Sequence, residues 1–163
     1  MTSDQLEDEL KRGLEGVLVA ESSLSEIDGD EGRLVYRGYT IDDLAREASY
    51  EGVLYLLWHG ELPTPALLDA FRGAMAAERE LADDVLDTIK CLAHADESPM
   101  AVMRTVTSIL SAYDPDADDD DVQSIPANVR KGRRITAKLP TALAAFDRIR
   151  RGEEPVAPHP DLD

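Results

Sequence analysis

The sequence has one cysteine, Cys91, and only 4 lysines among its 163 residues. A single cysteine cannot form an internal disulfide, so burial alone has to hold the fold together. The 17 basic residues are outnumbered by 34 acidic ones, which gives a formal charge of −17. That balance argues against nucleic acid and against an anionic membrane surface as partners, because both require a surplus of lysine and arginine.

Long hydrophobic runs are also missing. The longest apolar stretches, such as residues 53–58, are far shorter than the ~20 residues that span a bilayer. Residues 1–9 are acidic, unlike the basic start of a secretory signal peptide. We therefore expect a soluble, cytoplasmic protein with no membrane partner.

Among the charged residues, Asp outnumbers Glu, 20 to 14, and Arg outnumbers Lys, 13 to 4. A surface with so many carboxylates repels itself in dilute buffer, and high salt screens that repulsion. The composition favours adaptation to a salt-saturated cytoplasm. An ordinary acidic protein is the alternative.

Hydrophobic residues make up 43% of the chain, enough for one domain with a packed interior. Residues 1–9 are expected to form a flexible acidic N-terminus and residues 10–152 a helical region. Residues 153–163 contain three prolines and resemble an interrupted connector. Near residues 24–36, two short β-prone runs flank an acidic turn with Gly29 and Gly32, which predicts a β-hairpin.

Helical periodicity follows the hairpin, and the predicted fold class is all-α with about six helices. Their N-terminal signals are Thr40 with Asp43, Ser49, Thr64-Pro65 and Ser98-Pro99. The predicted spans are residues 40–48, 50–59, 65–80, 83–94, 99–112 and 128–151. Pro140 should kink or divide the last helix.

Apolar steps of three and four residues predict which helix faces are buried. The predicted stripes are Val85, Leu86, Ile89 and Leu92; Met100, Met103, Val106, Ile109, Leu110 and Tyr113; and Ile135, Leu139, Leu143, Phe146 and Ile149. Cys91 is expected on or near the first stripe, as inert packing rather than a nucleophile.

No metal site is predicted. Alternate aspartates in the acidic segment 114–127 resemble a calcium loop, but the sixth position is Asp119 instead of Gly and the twelfth is Ile125 instead of Glu. That segment is interpreted as a mobile loop. His59, His94 and His159 have no partners at ligand spacing, and structural roles are expected for all three.

The one basic cluster comprises Arg130, Lys131, Arg133 and Arg134. It suits either a phosphate ligand or neutralisation of the nearby aspartates 118–121, and the second interpretation is favoured. A glycine-rich phosphate loop and a nucleophile elbow are both missing from the sequence. We predict no catalytic residues and no cofactor.

Four segments in order resemble the N-terminal part of citrate synthase, of the halophilic archaeal type. They are GLEGVLVAESSLSEIDGDEGRLVYRGYTIDDLA, YEGVLYLLWHGELPT, ESPMAVMRTVTSILSAYD and RRITAKLPTALAAFDRIRRGEEPVAPHPDLD. The resemblance implies part of the large domain of an all-α, two-domain homodimer. It also implies condensation of acetyl-CoA with oxaloacetate to citrate and CoA, and it matches Arg37 to a family arginine that approaches the CoA phosphates.

The catalytic histidines and aspartate of the family lie in a later half, in segments that include Leu-His-Gly-Gly and Asp-Pro-Arg, and neither segment occurs here. We therefore expect a fragment or shortened reading frame that is inactive alone. Two alternatives stay open: an assembly subunit that complements a separate C-terminal half, and a fragment of a 2-methylcitrate synthase. For Arg37, pairing with Asp42 or Asp43 is the alternative to CoA binding.

Overall fold

The computed structural model describes residues 20–118 and 124–159. Contacts divide the chain into two compact units, residues 1–62 and residues 63–163. We call them the hairpin unit and the helical unit. The predicted flexible segment 1–9 lies outside the described residues.

The hairpin unit contains a three-stranded antiparallel sheet in the order β1-β2-β3. Its strands are β1 (Ser25–Asp28), β2 (Arg33–Tyr36) and β3 (Tyr39–Thr40). Ser25 pairs with Tyr36 and Asp28 with Arg33, which confirms the hairpin, while the short β3 was not predicted. The Asp28 carboxylate accepts two backbone N–H groups of the turn, and only Gly32 of the two predicted glycines has positive φ, 64°.

Two short helices complete the hairpin unit, α1 (Ile41–Glu47) and α2 (Tyr50–His59). Thr40 and Ser49 are their N-caps, as predicted, because each hydroxyl accepts a backbone N–H three residues ahead. Gly60 ends α2 with φ 90°, the left-handed conformation that glycine adopts without strain.

The helical unit contains α3 (Pro65–Ala76), α4 (Asp83–His94), α5 (Pro99–Leu110), a 3₁₀ turn (Ser111–Tyr113) and α6 (Ile125–Arg150). Six α-helices in the described residues confirm the mostly helical class. Helix α3 ends four residues earlier than predicted and α6 begins three residues earlier. Helix α6 continues through Pro140 undivided, and residues on both sides of the proline, Leu139 and Ala142, pack against one core.

That core lies between α4, α5 and α6. Its fully buried residues include Val85, Ile89, Val102, Val106 and Phe146. None of the helices within residues 20–118 and 124–159 is both long and apolar enough to cross a membrane.

Four predictions about buried faces were wrong. Met100 is 78% exposed, Tyr113 is 44% exposed and Leu143 is 39% exposed, while Val102 and Ala142 are buried. Cys91 is exposed as well. At 3.6 residues per turn, Met100 lies about 200° from Val102 and Cys91 about 200° from Ile89, so each points away from the core.

Candidate functional site

A tight turn between β2 and β3 carries Arg37. Tyr36 pairs with Tyr39, so Arg37 and Gly38 form a two-residue loop. Their φ angles are 47° and 89°. Positive φ at both positions is the type I′ geometry, whose twist matches that of paired strands. Glycine and asparagine suit the first position, so an arginine there is an outlier that points to a role for its side chain.

Three hydrogen bonds fix Arg37. Its backbone N–H donates to the carbonyl of Leu24 over 3.0 Å. Guanidinium Nη1 donates to Ser23 Oγ at 2.7 Å, and Nη2 donates to the carbonyl of Leu57 at 3.3 Å. Leu57 lies in the last turn of α2, where carbonyl groups form the negative end of the helix dipole.

The alternative pairing of Arg37 with Asp42 or Asp43 is not formed. Asp43 instead accepts the Thr40 hydroxyl at 2.6 Å, within the cap of α1. Across residues 20–118 and 124–159, Arg37 forms no ion pair, and its two guanidinium partners are neutral oxygens. Its positive charge therefore stays uncompensated by any carboxylate in that part of the chain.

A guanidinium of this kind can bind an anion. It has five N–H donors, and within the described ranges the bonds to Ser23 and Leu57 occupy two of them. The Nε–H has no acceptor in the described residues, but it is buried from solvent, so a ligand would bind the remaining Nη hydrogens. Phosphate oxygens accept paired donors from arginine, so the free Nη donors and the positive charge of the guanidinium suit a phosphate group.

The basic cluster of the helical unit is arranged differently. Arg134 is 8% exposed, and it donates to Asp114 at 2.9 and 2.6 Å and to Asp116 at 2.5 Å. Arg130 binds Asp116 at 3.0 and 2.7 Å. The acids that these arginines neutralise are Asp114 and Asp116, and of the run predicted as their partner, residues 119–121 lie outside the described residues.

These contacts change the acidity of both carboxyls. Hydrogen bonds from Arg130 and then Arg134 hold the pKa of Asp116 well below its usual range. Partial burial raises the pKa of Asp114, but the hydrogen bonds and the charge of Arg134 outweigh it and the pKa is lowered. Bidentate contacts to two aspartates occupy the donors that a phosphate would need, so this cluster is a poor anion site.

Two of the three histidines, His59 and His94, lie at helix C-termini. His59 ends α2 and its ring lies 4.2 Å from that of Tyr55. His94 ends α4, with Nδ1 2.7 Å from the carbonyl of Lys90. Within the described ranges no three His, Cys, Asp or Glu side chains are grouped so that they could hold a metal ion.

Ser23 and Leu57 were missed as partners of Arg37. They are 14 and 20 residues away in sequence. A serine in an irregular segment and a helical carbonyl carry no local signal of this contact. They meet Arg37 only in the folded chain, where the β2–β3 turn lies next to residue 24 and to the end of α2.

Comparisons with known proteins agree on one family. A family model described as "Citrate synthase, C-terminal domain" matches residues 13–163. The chain is 61% identical over 155 residues to the citrate synthase of Haloferax volcanii, covering 95% of this chain and 41% of that protein. It is 42% identical over 154 residues to a 2-methylcitrate synthase of Mycobacterium tuberculosis, covering 94% and 38%.

Solved structures give the same result. The crystal structure of citrate synthase from Pyrobaculum aerophilum matches with a TM-score of 0.83 and 36% identity, covering 91% of this chain and 38% of that one. The chain thus spans about two fifths of the length of these relatives.

Proposed function

The chain belongs to the citrate synthase family, and we propose that it is the N-terminal portion of an enzyme that condenses acetyl-CoA with oxaloacetate to give citrate and CoA. The observation that carries this proposal is the 61% identity to a citrate synthase over 155 residues. A 2-methylcitrate synthase and a second citrate synthase are both 42% identical, so the choice of acetyl-CoA over a longer acyl group rests on the 61% match alone. The description of the family model names a C-terminal domain, whereas the order of the resembling segments supports the N-terminal placement.

Within this portion, Arg37 binds a phosphate of CoA. The support is its charge, which no carboxylate of the described residues compensates, and the donors left by Ser23 and Leu57. On a chain with a formal charge of −17, an anionic ligand needs such a local positive group, because the surrounding field repels it.

The 163-residue chain alone is proposed to be inactive. Forming an enolate from a thioester requires a positioned base and donors that stabilise the developing oxyanion. The Leu-His-Gly-Gly and Asp-Pro-Arg segments that supply these groups in the family are missing from these residues. Association into a homodimer, a cytoplasmic location and adaptation to high salt belong to the same proposal.

Two measurements test it. The first follows thiol release from acetyl-CoA and oxaloacetate in molar KCl; we expect background rates, and turnover would overturn the proposed inactivity. The second measures CoA affinity of Arg37→Ala and of the control Arg33→Ala, which removes the same charge from an exposed pair with Glu26 in the same sheet.

We expect Arg37→Ala to weaken CoA binding about tenfold, the loss of a charge-assisted contact, and Arg33→Ala to leave it nearly unchanged. Equal effects of the two substitutions would show that only net charge matters. A parent chain that does not bind CoA would refute the assignment of Arg37.

A further inference from the structure

We propose that Ser23 is a positioning residue for CoA binding, one that holds the Arg37 guanidinium in the orientation that presents its free donors to a phosphate. This inference rests on the proposed contact between Arg37 and CoA. It adds a residue, Ser23, that has no contact of its own with the ligand in the proposal and acts only through the arginine.

The first step of the argument is the flexibility of arginine. Its side chain has many rotamers, and fixing it on a ligand costs conformational entropy. A guanidinium that is already held before the ligand arrives avoids much of that cost. Preorganisation therefore requires partners that fix the guanidinium without neutralising it.

Ser23 and Leu57 meet both conditions. Their oxygens accept from the two Nη atoms, at 2.7 and 3.3 Å, and neither oxygen carries a formal charge. A carboxylate in either place would fix the side chain and cancel the charge that attracts a phosphate. The Ser23 bond is the shorter of the two, and the backbone bond from Arg37 to Leu24 places the serine next to the turn.

The strained turn supports the same conclusion. With φ at 47°, Arg37 occupies a left-handed conformation that residues with a side chain adopt less readily than glycine. This conformation fixes the direction in which its side chain leaves the backbone. Ser23 then fixes the far end, so both ends of the side chain are constrained.

The test uses the full 163-residue chain at the lowest KCl concentration at which circular dichroism shows it folded. CoA dissociation constants are measured for the parent, Ser23→Ala, Ser23→Thr, Arg37→Ala and the double variant Ser23→Ala/Arg37→Ala. The control is Ser22→Ala, because the Ser22 hydroxyl accepts the N–H of Leu24 and has no bond to the guanidinium. The NMR signals of the Arg37 Nη hydrogens are recorded without CoA.

We expect Ser23→Ala to weaken CoA binding about threefold to fivefold, the effect of losing one exposed hydrogen bond to a charged group. Ser23→Thr should retain affinity, since it keeps the hydroxyl, and Ser22→Ala should bind like the parent. In the Arg37→Ala background the Ser23 substitution should have no further effect. The Arg37 Nη signals should be resolved in the parent and averaged by rotation in Ser23→Ala.

The measurements separate failure of the positioning role of Ser23 from failure of the proposed contact between Arg37 and CoA. If Arg37→Ala weakens binding but Ser23→Ala does not, the positioning role is wrong and the proposed CoA contact stands. An equal loss from Ser23→Ala with and without Arg37 would also overturn the positioning role, because the serine would then act independently. If Arg37→Ala binds CoA like the parent, the proposed contact itself is wrong, and the positioning role falls with it.

Discussion

Truncation of Phe146 to alanine should destabilise the helical unit by about 3–5 kcal/mol, the range for buried aromatic residues. Phe146 is 1% exposed and lies in the core between α4, α5 and α6. A buried aromatic ring removes roughly 150–250 Å² from water, which at ~25 cal/mol per Å² corresponds to about 4–6 kcal/mol as an upper bound. The range for substitutions and the estimate from buried area thus give a similar loss of unfolding free energy.

The matched control is Leu143→Ala, three residues earlier on the same helix. Leu143 is 39% exposed, so its truncation should cost about 1 kcal/mol or less. The sequence pattern had placed both residues on one buried stripe. The pair of variants therefore tests the rotation of α6 directly, because a helix turned to bury Leu143 would give two similar losses.

The assay is urea unfolding followed by circular dichroism at a fixed molar KCl concentration, with the free energy extrapolated to water. Phe146→Leu, expected to cost about 1 kcal/mol, keeps the comparison measurable if the alanine variant does not fold. A Leu143→Ala loss equal to or larger than that of Phe146→Ala would refute the packing described for α6.

Three further predictions concern charge and the thiol. Asp114→Asn should lower the free energy of unfolding by about 1–2 kcal/mol at pH 7, with solvent screening allowed for, because it weakens the contact with Arg134. Because the folded pKa of Asp114 is lowered, this stability is present above pH ~4 and is lost as the pH falls further. The unfolding free energies of parent and variant should therefore converge in acid, and a constant difference between them down to about pH 2 would contradict this. Raising KCl from about 0.1 to 2 M should increase the unfolding midpoint of the parent chain, as screening reduces repulsion within a net charge of −17; equal stability at both concentrations would refute salt adaptation. Cys91 should react with a thiol reagent in the native chain nearly as fast as in urea, whereas strong protection would mean that the thiol is buried after all.

Helix starts could be predicted from the sequence because capping is local chemistry. Thr40, Ser49, Thr64 and Ser98 each accept a backbone N–H three residues ahead, as their spacing indicated. The end of α2 at Gly60 and the turn of the β-hairpin are determined by local sequence in the same way. These features depend on a few neighbouring residues, and no tertiary contact is needed to recognise them.

Buried faces were harder to predict because a side chain's hydrophobicity does not fix its direction. In α6 the buried positions include Ala137, Ala142 and Ala145, small residues that give a weak apolar signal. Leu143 gives a strong signal but lies at the edge of the buried face. The close approach of helices selects small side chains, and that requirement comes from the partner helices, not from α6 itself.

The Arg37 site shows the same limit for function. Family resemblance indicated the arginine, but the sequence offered only nearby acids as alternative partners. The folded chain gives it Ser23 and Leu57 instead, two neutral oxygens from distant positions. Folding the turn does not require an arginine, because glycine or asparagine would adopt φ 47° at lower cost. A charged side chain kept in a strained position, fixed at both ends and without a carboxylate partner among the described residues, is better explained by an anionic ligand than by stability.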